Sequence, residues 1–96
     1  MTKISIDKES DAPFGWQFVV SVVSTTSTTE HTVAVAKEDW KSLTEEKVTP
    51  QELITKSFEF LLGRESNESI LRNFNITDIT RYYPDFPGEL KKILST

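Results

Sequence analysis

The amino-acid sequence predicts an α+β fold, in which a three-stranded antiparallel β-meander precedes a helical C-terminal half. Alternating apolar and polar residues, the pattern of half-buried strands, are concentrated in residues 1–36. Helix-capping residues and apolar residues at helical spacing occupy residues 37–96. No βαβ pattern links the two parts, so we expect the order βββ followed by four to five helices.

The chain has the size and composition of one domain. It has 96 residues, of which 36% are hydrophobic and 27% charged, as in ordinary globular proteins. No Pro- or Gly-rich linker divides it, so we expect residues 1–96 to form a single α+β domain. The sequence has no cysteine, which excludes a disulfide framework and a zinc site built on thiolates.

The sequence also predicts where the protein resides. Residues 1–10 carry charges from Lys3 onward and lack the apolar core of a signal peptide. The longest apolar run, residues 18–23, is interrupted by Ser21 and is too short to cross a bilayer. We therefore expect a cytoplasmic protein without a membrane partner.

The first predicted strand is short and lies at an edge of the sheet. In residues 3–7, Ile4 and Ile6 point to the same face, with polar residues between them. Residues 8–15 collect charges, a proline and a glycine, which are typical of a connection. We expect the strand to end where this segment begins.

Two further strands are predicted, joined by a loop. Residues 16–23 form a central strand and residues 31–36 the third strand, with six hydroxyl residues, 24–29, as the hairpin connection. The second strand has a strongly apolar face, which we expect to pack on the helices: Trp16, Phe18, Val20 and Val22. On the third strand His31, Val33 and Val35 share one face.

The main helix is predicted from its N-terminal residues. Thr49 and Glu52 match a capping box, and Pro50 occupies the first helical position. Its apolar residues cover a wide arc, so this helix should be the spine of the core. Gly63 is placed to end it in a left-handed conformation. A short helix over residues 37–43 should precede it.

Three more helical segments are expected after Gly63. Ser66 or Asn67 can cap a helix that carries Ile70, Leu71 and Phe74 as an apolar stripe. Asn75 and Asp78 can open a second helix, and Asp85 can cap the last one. We expect the first two of these helices to pack as a hairpin on the core.

Catalytic, cofactor and metal chemistry find little support in the sequence. His31 is the only histidine and begins a strand, so we expect it to be a hydrogen-bonded structural residue. Asp7, Glu9 and Asp11 lack the glycine and the closing glutamate of a calcium loop. The three glycines are far apart, which excludes a glycine-rich phosphate loop. We therefore expect that the protein is not an enzyme and that it binds neither a cofactor nor a metal ion.

The leading hypothesis is a non-enzymatic binding or protein-interaction module. If the helices cover the apolar face of the second strand, small apolar residues remain on the other face, where a protein partner or a second copy can bind. These residues are Val19, Val23, Ala34 and Ala36. The free edges of the sheet offer a second route to a homodimer.

The alternative is a small DNA-binding regulator or antitoxin-like protein. Residues 66–84 have the length of a helix-turn-helix, and their second helix would present polar and basic residues outward. The residues proposed for nucleic-acid contact are Arg72, Thr80, Arg81 and Tyr82. The net charge of −4 argues against nucleic acid as the ligand.

A block of residues in the C-terminal half is similar to one in a family of small prokaryotic proteins of unknown function. The block contains Phe58 to Leu62, Arg64-Glu65, Glu68 to Arg72, Phe74, Ile79, Arg81-Tyr82 and Pro84, and His31 to Val33 adds to it. Gly63 and Ser66 replace the glutamate and proline expected on either side of Arg64-Glu65. The resemblance implies a shared fold over roughly residues 16–90 and transfers no activity.

Overall fold

The structure is a computed structural model that describes residues 2–94 and has an α+β architecture with strands first. The predicted domain also includes Met1, Ser95 and Thr96, which lie outside the described residues. One four-stranded sheet has the order β1-β2-β3-β4. The elements are β1 Lys3–Ala12, β2 Gly15–Val23, β3 Thr28–Ala36, α1 Lys37–Thr44, α2 Pro50–Leu62, a 3₁₀ helix Asn67–Ser69, β4 Asn73–Asn75, α3 Ile76–Tyr82 and α4 Phe86–Leu94.

The sheet is mixed, which corrects the predicted three-stranded antiparallel meander. Strands β1 to β3 are antiparallel neighbours as expected, but β4 adds a fourth strand parallel to β3. Phe74 is paired with Val33, and the Thr32 amide donates to the Arg72 carbonyl over 2.7 Å. Phe74 of β4 was predicted to lie on the apolar stripe of a helix, and Asn75 to open the next helix. Pairing with a strand some 40 residues away overrides that local preference.

Strand β1 is twice as long as the predicted edge strand, because the charged segment after Asp7 continues in the sheet. The register with β2 shifts between Ile6 and Lys8, so Asp7 forms a β-bulge. The charged residues remain solvated because β1 is the outermost strand and one face of the sheet is uncovered. The connection is reduced to Pro13-Phe14.

Strand β2 begins at a glycine that lies close to β3 and ends at a short loop. A Cβ on Gly15 would lie 2.1 Å from the Val35 carbonyl oxygen, so only glycine permits this close approach of strands β2 and β3. The predicted hydroxyl loop is only residues 24–27, because Thr28 and Thr29 join β3. Within it, the Ser24 hydroxyl accepts a hydrogen bond from the Ser27 amide over 3.1 Å.

Helices α1 and α2 begin and end close to their predicted boundaries. Thr49 caps α2 by accepting from the Glu52 amide over 3.1 Å, with Pro50 as the first helical residue. Helix α1 is followed by Glu45 and Glu46, whose φ angles are 54° and 60°. Gly63 has φ −76°, so its predicted left-handed conformation is wrong.

The predicted helix-turn-helix over residues 66–84 does not form. Its first half is a single 3₁₀ turn, Asn67–Ser69, followed by extended chain and β4. Only its second helix exists, as α3, which Asn75 and Asp78 open as predicted, by forming a capping box. Helix α4 then packs against α1 and α2.

The core lies between one face of the sheet and the helices. The predicted apolar face of β2 is the covered one, since Phe18, Val20 and Val22 have no exposed surface. Helix α2 is its spine, with Leu53, Ile54 and Phe58 fully buried. The remaining buried apolar residues are Val33, Val35, Phe60, Leu61, Ile70, Phe74, Ile76, Ile79, Phe86 and Leu90.

Candidate functional site

An apolar cleft opens beside α3, where the chain between α2 and β4 turns back toward the sheet. Its volume is about 300 Å³, at the lower end of the range for pockets that bind small molecules or inserted side chains. The C-terminus of α2, the segment before β4 and one side of α3 form its walls. The lining residues are Leu61, Glu65, Ser69, Ile70, Leu71, Phe74, Asp78, Ile79, Tyr82 and Tyr83.

The floor of the cleft is buried and its rim is exposed. Ile70, Phe74 and Ile79 keep at most 9% of their surface exposed, because the same side chains belong to the core. On the rim, Leu71 is 47% exposed and Tyr82 is 65% exposed. A group that enters the cleft would therefore cover apolar surface that water now contacts.

Two carboxylates give the cleft a negative charge. Glu65 accepts a short hydrogen bond from the Tyr83 hydroxyl, and this bond raises the pKa of Tyr83 above its ordinary value. Asp78 accepts from the Asn75 amide over 3.0 Å and pairs with Arg81 over 3.5 Å. None of the lining residues is a lysine or an arginine.

Arg64 contacts Tyr83, which lines the cleft, and Phe60 and Asp85, which lie next to it. Its guanidinium lies 4.6 Å from the centre of the Phe60 ring and 5.6 Å from that of Tyr83. Its 2.5 Å ion pair with Asp85 lowers the pKa of that carboxyl and raises the pKa of the guanidinium. The guanidinium therefore packs on two aromatic rings, one in the core and one that lines the cleft.

His31 anchors the opposite rim. It is fully buried, and its Nδ1 lies 2.7 Å from the Leu71 carbonyl oxygen. A carbonyl only accepts, so Nδ1 carries the proton and the neutral ring accepts at Nε2 from the Thr29 hydroxyl over 2.8 Å. Thr29 in turn accepts from the Asn67 amide group over 3.1 Å. This chain of hydrogen bonds joins β3 to the segment that carries Leu71.

The environment of His31 favours the neutral ring. Burial lowers its pKa below the ordinary value; the hydrogen bond to the Leu71 carbonyl opposes this shift, and the nearby charge of Arg72 adds to it. The predicted hydrogen bonding of His31 is confirmed by the two partners of its ring, but His31 lies within β3 and not at its start, because the strand begins at Thr28. Its ring also packs against Phe58 at 5.4 Å between centroids.

The residues predicted as an interaction surface lie together on the uncovered face of the sheet. Val23 is 41% exposed, while Val19, Ala34 and Ala36 are half-buried. Their neighbours across the strands are mostly polar: Val19 lies between Lys8 and Thr32, and Ala34 is opposite Gln17. The structure therefore brings them to one face but interleaves them with polar side chains.

The residues proposed for nucleic-acid contact do not share one environment. Arg72 is exposed in the segment before β4, and Thr80 is half-buried on α3. Arg81 is paired with Asp78, and Tyr82 lines the cleft beside two carboxylates. The basic surface that phosphate contacts require is not formed by this group.

Sequence reasoning missed the cleft and most of its residues. Leu71 was expected on the apolar stripe of a helix together with Ile70, and no binding role was predicted for Glu65. A signal was present, because Ile70 and Leu71 cannot both face the core once the segment is extended. Recognising it requires the position of β4, which the local pattern does not reveal.

Comparisons with protein-family models, with curated proteins and with solved structures gave no match to this chain. Among residues 2–94, no three His, Cys, Asp or Glu side chains are grouped so that they could hold a metal ion. None of the helices in the described part of the chain has the length and apolar character needed to cross a membrane.

Proposed function

We propose that this protein is a non-catalytic interaction module that binds an apolar side chain of a partner protein in the cleft beside α3. The observation that carries the proposal is the pair of exposed apolar residues, Leu71 and Tyr82, at the rim of a cavity with a buried floor. Isolated exposed apolar residues are common on protein surfaces, but two that flank a concave apolar site favour a binding role.

The charge of the cleft specifies the partner further. Glu65 and Asp78 favour a lysine or arginine next to the inserted apolar residue. The Asp78–Arg81 pair is long and Arg81 is 79% exposed, so the cation of a partner can replace Arg81 at little cost. The net charge of −4 adds a general attraction for a basic segment.

Nucleic acid is the second candidate ligand and is less well supported. Exposed Arg72, Arg81 and Tyr82 favour it, since arginine and tyrosine can contact phosphate and stack on bases. The carboxylates beside Tyr82 oppose it, because they repel phosphate at the place where a base would stack.

Selection of displayed peptides tests the proposal and identifies the ligand class. Random peptides are selected on the immobilised protein, and those that also bind the support without protein are removed. We expect the remaining peptides to share an apolar residue next to lysine or arginine. In titrations of a labelled peptide, Leu71→Ser should weaken binding roughly tenfold, because half of a leucine side chain is no longer buried.

Val23→Ser is the matched control. Val23 is 41% exposed and Leu71 47%, but Val23 lies on the uncovered face of the sheet. We expect this variant to bind the selected peptides as tightly as the unmodified protein. If Val23→Ser weakens binding while Leu71→Ser does not, the site is the face of the sheet and the cleft proposal is wrong.

A further inference from the structure

Strand β1 has a free hydrogen-bonding edge. It is the outermost strand of the sheet, paired only with β2 in the part of the chain that the structure describes. Its other edge therefore presents backbone N–H and C=O groups that another strand can pair with. This edge is remote from the cleft, which lies beyond β3 and β4 at the opposite side of the sheet.

The first five residues of β1 are complementary to themselves. The segment Lys3-Ile4-Ser5-Ile6-Asp7 reads lysine, isoleucine, serine, isoleucine and aspartate. If two copies pair antiparallel about Ser5, Lys3 lies opposite Asp7, and Ile4 lies opposite Ile6. The Lys3–Asp7 pair then forms twice, once on either side of the two-fold axis.

The faces of the strand agree with this pairing. Ile4 and Ile6 point to the helices and pack partly buried against the core. Lys3 and Ser5 are opposite Val23 and Ser21, on the uncovered face. Asp7 accepts hydrogen bonds from the hydroxyls of Ser5 and Ser21, so its carboxylate is on the uncovered face as well. The Lys3–Asp7 pair therefore lies on the uncovered face of the sheet, and the Ile4–Ile6 pair lies on the face that the helices cover.

Neighbouring registers lose this match. A shift by one residue in one direction sets Lys3 opposite Lys8 and Ile4 opposite Asp7. A shift by one in the other direction sets Lys3 opposite Ile6, which moves apolar residues to the polar face. A shift by two sets Lys3 opposite Glu9, but Glu9 bonds Gln51 of α2 and so points to the helices. The bulge at Asp7 bends the strand and ends the pairing there.

We propose that a second copy of this chain binds along β1, in antiparallel register about Ser5, to form a continuous eight-stranded sheet across the dimer. The interface joins two Lys3–Asp7 pairs, extends the Ile4 and Ile6 layer of each core and leaves both clefts open. Five residues from each chain bury a small area, below roughly 1,200 Å² in total, so the dimer is weak and depends on concentration.

A single cysteine at the two-fold axis tests the register. The chain has no cysteine, so Ser5→Cys introduces the only thiol. With the purification tag at the C-terminus, mild oxidation should convert this variant to a covalent dimer much faster than Ser10→Cys. Ser10 is also exposed on β1, but the two copies of it lie far apart in this register. Equal rates of crosslinking for the two variants would overturn the proposal.

Exchange of charges tests the same contact without a covalent bond. Sedimentation equilibrium should show that Lys3→Asp and Asp7→Lys each raise the dissociation constant of the dimer roughly 2- to 30-fold, because two cross-strand ion pairs become like-charge pairs. The double variant should restore dimerisation. The interface would be rejected if the double variant, with circular dichroism that matches the unmodified chain, did not dimerise again. A monomer mass of the unmodified protein at every concentration would reject it as well.

Discussion

At the scale of single residues, His31 shows how a buried polar group is retained. Both ring nitrogens have partners, and each partner belongs to a different part of the chain. Because the buried side-chain polar atoms of the described residues all have hydrogen-bond partners, the network with Thr29 and Asn67 adds specificity without an unpaired group. It holds the Leu71 backbone, and hence the cleft rim, against β3.

His31 should make the stability depend on pH. Burial lowers its pKa in the folded protein, so below about pH 6.5 the unfolded chain takes up a proton that the native state does not. The contribution is fully present above that pH and is lost as the pH falls through the folded pKa. Urea unfolding should show lower stability at about pH 5.5 than at about pH 7.5.

The His31→Gln variant provides the comparison. Glutamine can occupy part of the same space but does not titrate, so its unfolding free energy should change less over this pH range. His31 is the only histidine, which leaves few other groups to titrate there. The same pH dependence in both proteins would assign the effect to another group.

At the scale of elements, the strands and helices differ in how well local sequence specifies them. Helix α2 was predicted from Thr49 and Pro50, because capping bonds form between residues close in sequence. Strand β4 was missed because its hydrogen bonds go to β3, and three residues carry no periodicity. The extension of β1 was missed because solvated charges are tolerated on an edge strand.

The C-terminus of α1 predicts a stabilising substitution. Glu46 is exposed with φ 60°, a conformation that is strained for a residue with a Cβ. Glu46→Gly should raise the unfolding free energy by about 1 kcal/mol, measured by thermal or urea denaturation. Glu38→Gly, within α1, should lower it by a similar amount, about 1 kcal/mol. A loss of stability in both variants would contradict the proposed strain.

At the scale of the whole molecule, one core connects the sheet to every α-helix. Phe58 of α2 packs on His31 of β3 and on Phe74 of β4, so a single side chain joins three elements. Trp16 and Trp40 form a T-shaped pair at 5.6 Å between β2 and α1, which provides a spectroscopic probe of that contact. The architecture therefore predicts one cooperative unfolding transition.

Phe58→Ala tests this cooperativity. Removing a fully buried phenylalanine should cost about 3–5 kcal/mol, a large part of the roughly 5–15 kcal/mol that stabilises a domain. The loss should shift tryptophan fluorescence and far-UV circular dichroism to the same lower urea midpoint. Phe58→Leu should produce a smaller, equally coincident shift. Separate midpoints for the two signals would show that the core is not one unit.

From the amino-acid sequence we could predict the α+β class, the order of strands before helices, the covered face of the sheet and the capped helix α2. These features depend on periodicity and on contacts between residues near in the chain, which sequence shows directly. Three features are visible only in the folded protein: β4 joins the sheet, residues 66–84 are not a helix-turn-helix, and Leu71 and Tyr82 flank a cleft. Each of these depends on Leu71 and its neighbours meeting β3, a contact between distant segments whose free energy outweighs their local preferences.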